Sequence, residues 1–180
     1  MRSFSKNLLI IIIGAGIYCV LERFVGISTS LDGVRITYAQ PFIIWLSVLA
    51  GPLIGGITGG IGELLSQIGG SALDLSMVIC TILNCVVIGF FTRKIDVNNG
   101  FFGKNEVFLF DKVQIISNFI IWEIPYTAIK VLIYRENLSA ALERGFWIAL
   151  NNSISCMLIT SLFLALYAEA RMTAANFYRE

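Results

Sequence analysis

Histidine is absent from this 180-residue sequence, and charged side chains make up only 14% of it. The lack of histidine excludes Ser–His and Cys–His nucleophile pairs and sites where histidine binds zinc or haem. The four cysteines lie in apolar stretches without a Cys-x-x-Cys pair, as apolar packing residues do. No Gly-x4-Gly-Lys-Ser/Thr string occurs, so a nucleotide would have to bind another chain. We therefore expect no catalytic residue, no metal and no cofactor.

Hydrophobic residues, in contrast, are unusually abundant. They account for 57% of the chain, and the mean hydropathy is +0.80, whereas an ordinary soluble domain is about 45–50% apolar and about 25% charged. A transmembrane helix needs about 20 apolar residues, so this length allows six or seven spans. The sequence therefore predicts an all-α integral membrane protein without a soluble catalytic domain. The net charge of +1, without a basic run, argues against nucleic acid as a partner.

The apolar runs predict a single transmembrane domain over residues 1–180. Its six helices are expected at about 8–25, 39–50, 53–68, 75–91, 113–134 and 145–168. Gly51-Pro52 divides a run that is too long for one span, because a Gly-Pro pair is a turn signal. The first connector has Asp32-Gly33 at its middle and alternating apolar residues after it, a pattern typical of a small hairpin.

Basic residues are unevenly divided between the two ends of these spans. Eight of the 13 Lys and Arg residues fall on the side of the chain termini, four fall on the other side, and Lys130 lies within a span. Excess Lys and Arg marks the cytoplasmic side of a membrane protein. We therefore expect both termini in the cytoplasm, with the connectors 26–38, 69–74 and 135–144 facing outward.

Three charged residues, Glu63, Glu123 and Lys130, lie more than one turn from the ends of the expected spans. Charges in the bilayer are costly and often functional. Lys130 lies about two turns outward from Glu123 on one face of the fifth helix, with Tyr126 between them, which predicts a polar pocket that opens outward. The alternatives are a structural ion pair, or a Lys130 that extends along the helix to the membrane surface.

Further polar and aromatic residues are expected near the same outer depth. Asn and Gln donate and accept hydrogen bonds at once, which suits the edge of a heterocycle, and Trp offers a flat face for stacking. Each amide alone could also bond two helices. The additional candidates are Gln67, Asn84, Trp122, Trp147, Asn151 and Asn152.

Small residues are concentrated in two places. Eight of the 16 glycines lie within residues 51–70, and Gly14, Ala15 and Cys19 form a small-residue strip on the first helix. Small residues spaced by four let helices approach closely in lipid. They predict either packing within the bundle or a surface that slides against another subunit.

Four short strings occur in an order that is shared with one group of membrane proteins. They are Val34-Arg35-Ile36-Thr37-Tyr38-Ala39, Ala50-Gly51-Pro52-Leu53-Ile54-Gly55-Gly56, Gly100-Phe101-Phe102-Gly103-Lys104-Asn105-Glu106 and Leu166-Tyr167-Ala168. On these strings the chain resembles, over nearly its whole length, the substrate-binding S components of energy-coupling factor (ECF) vitamin transporters. Within them it is most similar to the riboflavin-type and UPF0397 group.

The resemblance implies a six-helix bundle in a prokaryotic plasma membrane that captures a vitamin from outside. It implies a transmembrane coupling subunit and two cytoplasmic ATPases as partners. It also implies that the first outer loop, which contains Arg35, belongs to the pocket. Small residues spaced by four on the first helix, here Ala15 and Cys19 beside Gly14, would dock onto the coupling subunit, although the usual earlier alanine is Ile11.

The resemblance associates this group with vitamin B6 compounds, hydroxymethylpyrimidine and riboflavin. The predicted acid, base, amides and tryptophans favour a small polar heteroaromatic molecule, since a B6-type pyridine offers a ring nitrogen, a phenolate and a stacking face. Hydroxymethylpyrimidine fits nearly as well. Two other classes compete with a transporter subunit. An intramembrane enzyme needs a nucleophile–base pair that this sequence lacks, and a membrane scaffold subunit would carry no ligand.

Overall fold

The computed structural model describes residues 2–28, 35–68 and 73–177. Two short strands form a hairpin, and all longer elements are helices. The elements are α1 Arg2–Phe24, β1 Gly26–Ser28, β2 Arg35–Thr37, α2 Ala39–Ala50, α3 Pro52–Gln67, α4 Leu75–Phe91, α5 Lys104–Glu123, α6 Pro125–Leu132, α7 Leu138–Ser155 and α8 Ser161–Phe177, with a 3-10 turn at Val97–Asn99 and a π-helical turn at Cys156–Thr160.

The helices form six rods, each a single helix or two helices joined end to end. Helices α1 to α4 are single, α5 continues into α6, and the π-helical turn joins α7 to α8. A mostly helical chain with six rods is what the apolar runs predict. Within the described residues, two helical stretches are long and apolar enough to cross a membrane by themselves, Phe4–Phe24 and Leu138–Ala174. The apolar helices α2 and α4 are shorter.

The turn between α2 and α3 is as tight as the Gly-Pro pair predicts. Gly51 has φ 102°, in the left-handed region that favours glycine. Its N–H donates to the Ser47 carbonyl at 3.0 Å, and Pro52 follows at the first turn of α3, where its missing N–H leaves no bond unmade. This single residue therefore reverses the chain and lays α3 against α2.

The fifth rod differs from the expected helix at 113–134. It begins at Lys104, because the Glu106 carboxylate accepts from the Gly103 N–H at 2.9 Å and caps a helix where a polar connector was expected. It divides after Glu123, because Pro125 cannot donate to the carbonyl of Ile121. The Cys80 thiol lies 3.8 Å from that free carbonyl.

The first and last rods are also longer than the apolar runs alone predict. Helix α1 begins at Arg2 instead of residue 8. Helix α7 begins at Leu138 instead of residue 145, because the Asn137 side chain accepts from the Ser139 N–H at 2.8 Å. Most of the difference between the expected and observed helix boundaries therefore comes from residues that continue a helix past its most apolar stretch.

The glycines of α3 pack inside the bundle, which was the first of their two expected roles. A Cβ at Gly62 would lie 2.8 Å from Tyr18 of α1, and one at Gly60 would lie 2.7 Å from Ile82 of α4. Their absence of side chains lets α3 lie close to both neighbours. The same close approach brings the Tyr18 hydroxyl of α1 into contact with the Glu63 carboxylate of α3.

Three connectors lie at one end of the bundle. Strands β1 and β2 pair antiparallel, with Ile27 opposite Ile36, which confirms the hairpin, although its expected Asp32-Gly33 turn lies outside the described residues. Arg23 donates to the Ile68 carbonyl at 2.7 Å, next to the connector that follows α3. The Tyr134 hydroxyl donates to the Leu73 carbonyl at 3.2 Å and joins the third connector to the second.

The opposite end is closed by an apolar core. The loop after α4 is held there by α8, where Arg171 donates to the Asn98 carbonyl at 3.0 Å. The buried side chains of this core include Ile43, Ile44, Ile88, Phe110 and Leu164. The bundle therefore has a solid apolar end and an end that carries the hairpin and the polar connectors, which we call the hairpin end.

Candidate functional site

A cavity of about 120 Å³ opens beside the hairpin. Most of its lining is polar or aromatic, and six helices and the hairpin contribute to it. The lining residues are Tyr18, Glu22, Arg35, Thr37, Gln40, Glu63, Met77, Trp122, Ile148 and Asn152. Four of the sequence candidates, namely Arg35, Glu63, Trp122 and Asn152, are therefore brought together in one cavity.

Glu63 is the most deeply buried acid of the cavity, with only 3% of its surface exposed. The Tyr18 hydroxyl donates to its Oε2 at 2.6 Å, and the Gln67 amide donates to its Oε1 at 2.9 Å. Both carboxylate oxygens thus accept hydrogen bonds, an arrangement that suits the ionised form. A buried carboxylate needs such partners, because burial without them is costly.

A second acid, Glu22, lies one helical turn beyond Tyr18 on α1. Its Oε2 accepts from the Thr37 hydroxyl at 2.7 Å, which ties the end of α1 to the hairpin. Arg35 lines the same cavity from the hairpin but is itself exposed. The wall formed by α1, α3 and the hairpin therefore holds two carboxylates and one guanidinium, and we call it the acidic wall.

The opposite wall is formed by α5 and α7, and it offers donors. Trp122 is fully buried and its indole N–H has no hydrogen-bond partner, and the Asn152 side-chain nitrogen is also buried without one. Gln40 of α2 lies between the walls. Its amide nitrogen donates to Thr81 at 3.1 Å, whereas its Oε1 is buried without a partner. Unpaired buried polar atoms are uncommon in folded proteins and indicate a missing ligand, water or ion.

A neighbouring cavity connects the acidic wall to the connector before α4. It is lined by Glu22, Arg23, Arg35, Glu63, Ser66, Gln67, Asp74 and Met77. Gln67 bridges the two regions, because its Oε1 accepts from the Asp74 N–H at 2.7 Å while its nitrogen donates to Glu63. Gln67 thus reaches the cavity acid without lining the first cavity itself.

Lys130 lines neither cavity, unlike the expected pocket residue, and it does not form the alternative ion pair with Glu123 either. Its Nζ lies 2.8 Å from Asp74 Oδ2 and 3.2 Å from Glu136 Oε1, and Glu136 also pairs with Arg144 at 2.7 Å. Partial burial alone would raise the pKa of the Asp74 carboxyl, but the hydrogen bonds from Lys130 and Ser76 hold it below its usual range. Lys130 therefore joins two connectors at the hairpin end.

Glu123 lies outside both cavities and is partly exposed at the end of α5. The reason that Lys130 pairs with another acid and not with Glu123 lies outside α5. Asp74 caps α4 at the position where the Lys130 ammonium emerges, and this acid is closer than any on the same rod. A contact between residues 56 positions apart leaves no signal in the periodicity of one helix.

The remaining candidates from the fifth and sixth expected helices stand around the cavity and do not line it. Tyr126 is buried behind Trp122, with ring centroids 5.8 Å apart. Trp147 is 37% exposed and packs against Phe146. Asn151 is partly buried, and its carbonyl accepts from Ser155. The direct ligand contacts expected of these three residues are not supported by their positions.

Asn84 belongs to a buried ladder of amides deeper in the bundle. It donates to Asn118 Oδ1 at 2.9 Å, and Asn118 donates in turn to Gln114 Oε1 at 3.0 Å. Gln114 completes the ladder by donating to the Ser153 carbonyl at 3.1 Å. These bonds join α4, α5 and α7, which is the helix-bonding alternative for a membrane amide.

The small-residue strip of α1 points inward at two of its three members. Ala15 is 1% exposed, and a Cβ at Gly14 would lie 2.8 Å from Thr58 of α3. Cys19 is partly exposed. The docking role expected of Gly14 and Ala15 therefore conflicts with their burial, because packing on α3 already uses their small size.

The cavity residues that the sequence reading missed are Tyr18, Glu22, Thr37, Gln40, Met77 and Ile148. Tyr18 and Glu22 are four residues apart in α1, so they share a face, and this spacing was an available signal. Glu22 is next to Arg23 at the end of an apolar run, where a charge resembles an ordinary helix end. Thr37 enters the cavity because the hairpin packs against α1, where it donates to Glu22. Gln40 enters it because α2 packs against α4, where it donates to Thr81.

Comparison with known proteins decides what kind of molecule carries this cavity. Residues 4–169 match the family described as "ECF-type riboflavin transporter, S component". The chain belongs to this family. S components are membrane-embedded, substrate-binding subunits of transporters and not enzymes, and they work with an ECF module. The family match and the polar cavity therefore agree on a binding subunit.

Individual relatives of this S component are similar along nearly their full length. A UPF0397 protein of Enterococcus faecalis is 31% identical over 168 residues, covering 92% of this chain and 91% of the relative. UPF0397 proteins of Lactobacillus johnsonii and Clostridium perfringens are 31% and 29% identical over 176 and 177 residues, each covering 97% of this chain and 95% of the relative. No solved structure matches the chain significantly.

Proposed function

We propose that this S component captures a small, single-ring heteroaromatic vitamin or vitamin precursor from outside the cell, and that a vitamin B6-type compound fits best. The observation that carries the proposal is the cavity at the hairpin end, with unpaired donors on one wall and an unpaired acceptor between the walls. A transmembrane coupling subunit and two cytoplasmic ATPases complete the proposed transporter, because the chain has no nucleotide-binding string of its own.

The size of the cavity supports a single ring. Pockets for drug-sized ligands measure about 300–1,000 Å³, whereas this cavity measures about 120 Å³. Riboflavin, with three fused rings and a sugar-alcohol chain, would require the walls to separate. Hydroxymethylpyrimidine has the same ring count as a B6 compound and is the closest alternative ligand.

The chemistry of the walls also supports a heteroaromatic ring. Tyr18 and Trp122 place aromatic side chains on opposite sides of the cavity, and aromatic pairs favour offset or edge-to-face contacts with a bound ring. Unpaired N–H groups on Trp122 and Asn152 offer bonds to a ring nitrogen or a phenolic oxygen. An apolar chain would leave all these groups unpaired.

The proposed orientation places the hairpin end outside and both chain termini in the cytoplasm. Ser139 and Asn105 are exposed residues at opposite ends, and Cys80, Cys85 and Cys156 are buried, so they give a low labelling background. We expect Ser139→Cys to react with a membrane-impermeant maleimide in intact cells and Asn105→Cys to react only after lysis. The parent chain controls for Cys19. The opposite labelling pattern would reverse the orientation.

The proposed capture function predicts that the purified protein carries its ligand. We expect denaturation of the protein, purified from cells in rich medium, to release one small heteroaromatic compound in stoichiometric amount, identified by mass spectrometry. Protein purified from cells in a medium without vitamins should take the compound up again when it is added back. A preparation that never releases or binds a small molecule would favour the scaffold alternative.

A further inference from the structure

We propose that the ligand of this cavity carries a positively charged nitrogen, which binds against Glu22 and Glu63, and a hydrogen-bond acceptor at its other end. This inference rests on the proposed capture function and narrows the chemical class of its ligand. It follows from the distribution of charge and of unpaired polar atoms around the cavity.

The acidic wall holds more negative than positive charge. Glu22 and Glu63 both line the cavity, and Arg35 is the one cation that lines it within the described part of the chain. Among the described residues, the ion pairs involve Lys130, Arg144, Asp74 and Glu136, and none reaches either cavity acid. The undescribed stretches 29–34 and 69–72 contain no Lys or Arg in their sequence. No side chain from those stretches can neutralise the pair.

The hydrogen bonds around the acids come from neutral donors. Tyr18 and Gln67 donate to Glu63, and Thr37 donates to Glu22. Neutral donors stabilise a carboxylate but do not cancel its charge, and an uncompensated buried charge is strongly unfavourable. A cationic group between the two acids favours their ionised forms and binds to both carboxylates.

The buried polar atoms without hydrogen-bond partners indicate how the ligand is oriented in the cavity. Between the walls, Gln40 Oε1 is a buried acceptor that lacks a donor, so it adds a third site for the hydrogens of an ammonium or ring N–H group. On the facing side, the Trp122 and Asn152 nitrogens are donors that lack an acceptor. A molecule with its cation towards α1 and α3 and its oxygen or ring nitrogen towards α5 and α7 satisfies both sets at once.

A matched pair of compounds tests the charge preference. Pyridoxamine and pyridoxine share one ring, but at neutral pH the first carries an ammonium where the second carries a hydroxyl. We expect isothermal titration of the purified protein to show at least about tenfold tighter binding of pyridoxamine, the gain typical of a charge-assisted hydrogen bond. The compound released on denaturation should likewise carry a protonated nitrogen.

Three variants assign the preference to the proposed acids. Glu22→Gln and Glu63→Gln keep the side-chain shape, and each should reduce the preference for pyridoxamine to about twofold or less. Glu123→Gln is the matched control, because Glu123 lies outside the cavity, and it should keep the full preference. Thermal unfolding confirms that each variant is folded, and Glu22→Gln carries the test if the more buried Glu63 proves essential for folding.

The outcomes separate this inference from the capture function. Equal binding of the two compounds, a preference that survives in both Gln variants, or release of a neutral compound would overturn the cationic ligand and leave the capture function standing. A protein that releases nothing and binds neither compound would overturn both.

Discussion

Substitution of Gly16 by Leu should reduce ATP-driven uptake by about 10- to 100-fold while ligand binding to the isolated protein stays unchanged. The outer face of α1 carries Ile12, Ile13, Gly16, Ile17 and Val20, which form a shallow apolar groove. Gly16 has no side chain to fill this groove, and a Cβ there would meet no atom of the bundle within 4 Å. A leucine therefore fits the isolated bundle and obstructs only a neighbour that packs into the groove.

The size of the expected effect follows from the cost of overpacking. Inserting extra methylenes into a close contact costs about 1–3 kcal/mol, which corresponds to about 10- to 100-fold in affinity. Only 17% of the span Phe4–Phe24 is buried within the bundle, so α1 leaves most of its surface for lipid or for a partner. The proposed partner is the coupling subunit of the transporter.

Two further variants make the Gly16 experiment specific. Ala15→Leu alters the adjacent residue, which is 1% exposed, and should impair folding and ligand binding together. Ile120→Phe enlarges an exposed apolar residue on α5 and should leave uptake intact. Uptake of labelled ligand into cells that express the whole transporter, and copurification of the coupling subunit, are the measurements. Normal uptake by Gly16→Leu would place the docking surface elsewhere.

Substitution of Gly145 by Ala should lower the thermal unfolding midpoint by about 2–12 °C. The Gly145 backbone packs directly on the Trp122 carbonyl, and a Cβ at this position would overlap the carbonyl oxygen. The obstacle is backbone, so neither helix can relieve it by a side-chain rotation. Overpacking of about 1–3 kcal/mol shifts the midpoint by about 2–4 °C per kcal/mol for a chain of this size.

Gly16→Ala is the matched control for Gly145→Ala. Both substitutions add one methyl group to a helical glycine, but Gly16 faces open space. Alanine favours a helix over glycine by about 1 kcal/mol, so Gly16→Ala should keep or slightly raise the midpoint measured in detergent. The same midpoint for both variants would show that α5 and α7 are not in the close contact described. Weakened ligand binding by Gly145→Ala is also expected, because Trp122 lines the cavity.

Local sequence signals predicted the parts of the fold that depend on local chemistry. The Gly51-Pro52 turn follows from the two residues that form it, and the hairpin follows from alternation next to a turn sequence. The extent of α5 and α7 was not apparent, because charged residues lie within their first two turns. Caps from Glu106 and Asn137 start these helices before their apolar stretches begin.

The candidate site was predictable where burial is costly by itself. Glu63 is a charge in an apolar helix, so it stood out at once. Glu22 resembles an ordinary charged helix end, the position of Thr37 depends on how the hairpin lies over α1, and that of Gln40 depends on how α2 packs on α4. The position of Lys130 could not be inferred from its own helix, because its partner, Asp74, is distant in sequence and near only after α4 and α6 have packed together.

The contrast between the two ends of the bundle has a consequence for how a ligand enters and leaves. The far end is an interlocked apolar core, whereas the rim around the cavity is joined by hydrogen bonds and ion pairs. Polar links exchange readily with water, but a packed core opens only as a unit. A ligand can therefore enter and leave through the hydrogen-bonded rim at the hairpin end while the apolar end of the bundle stays folded.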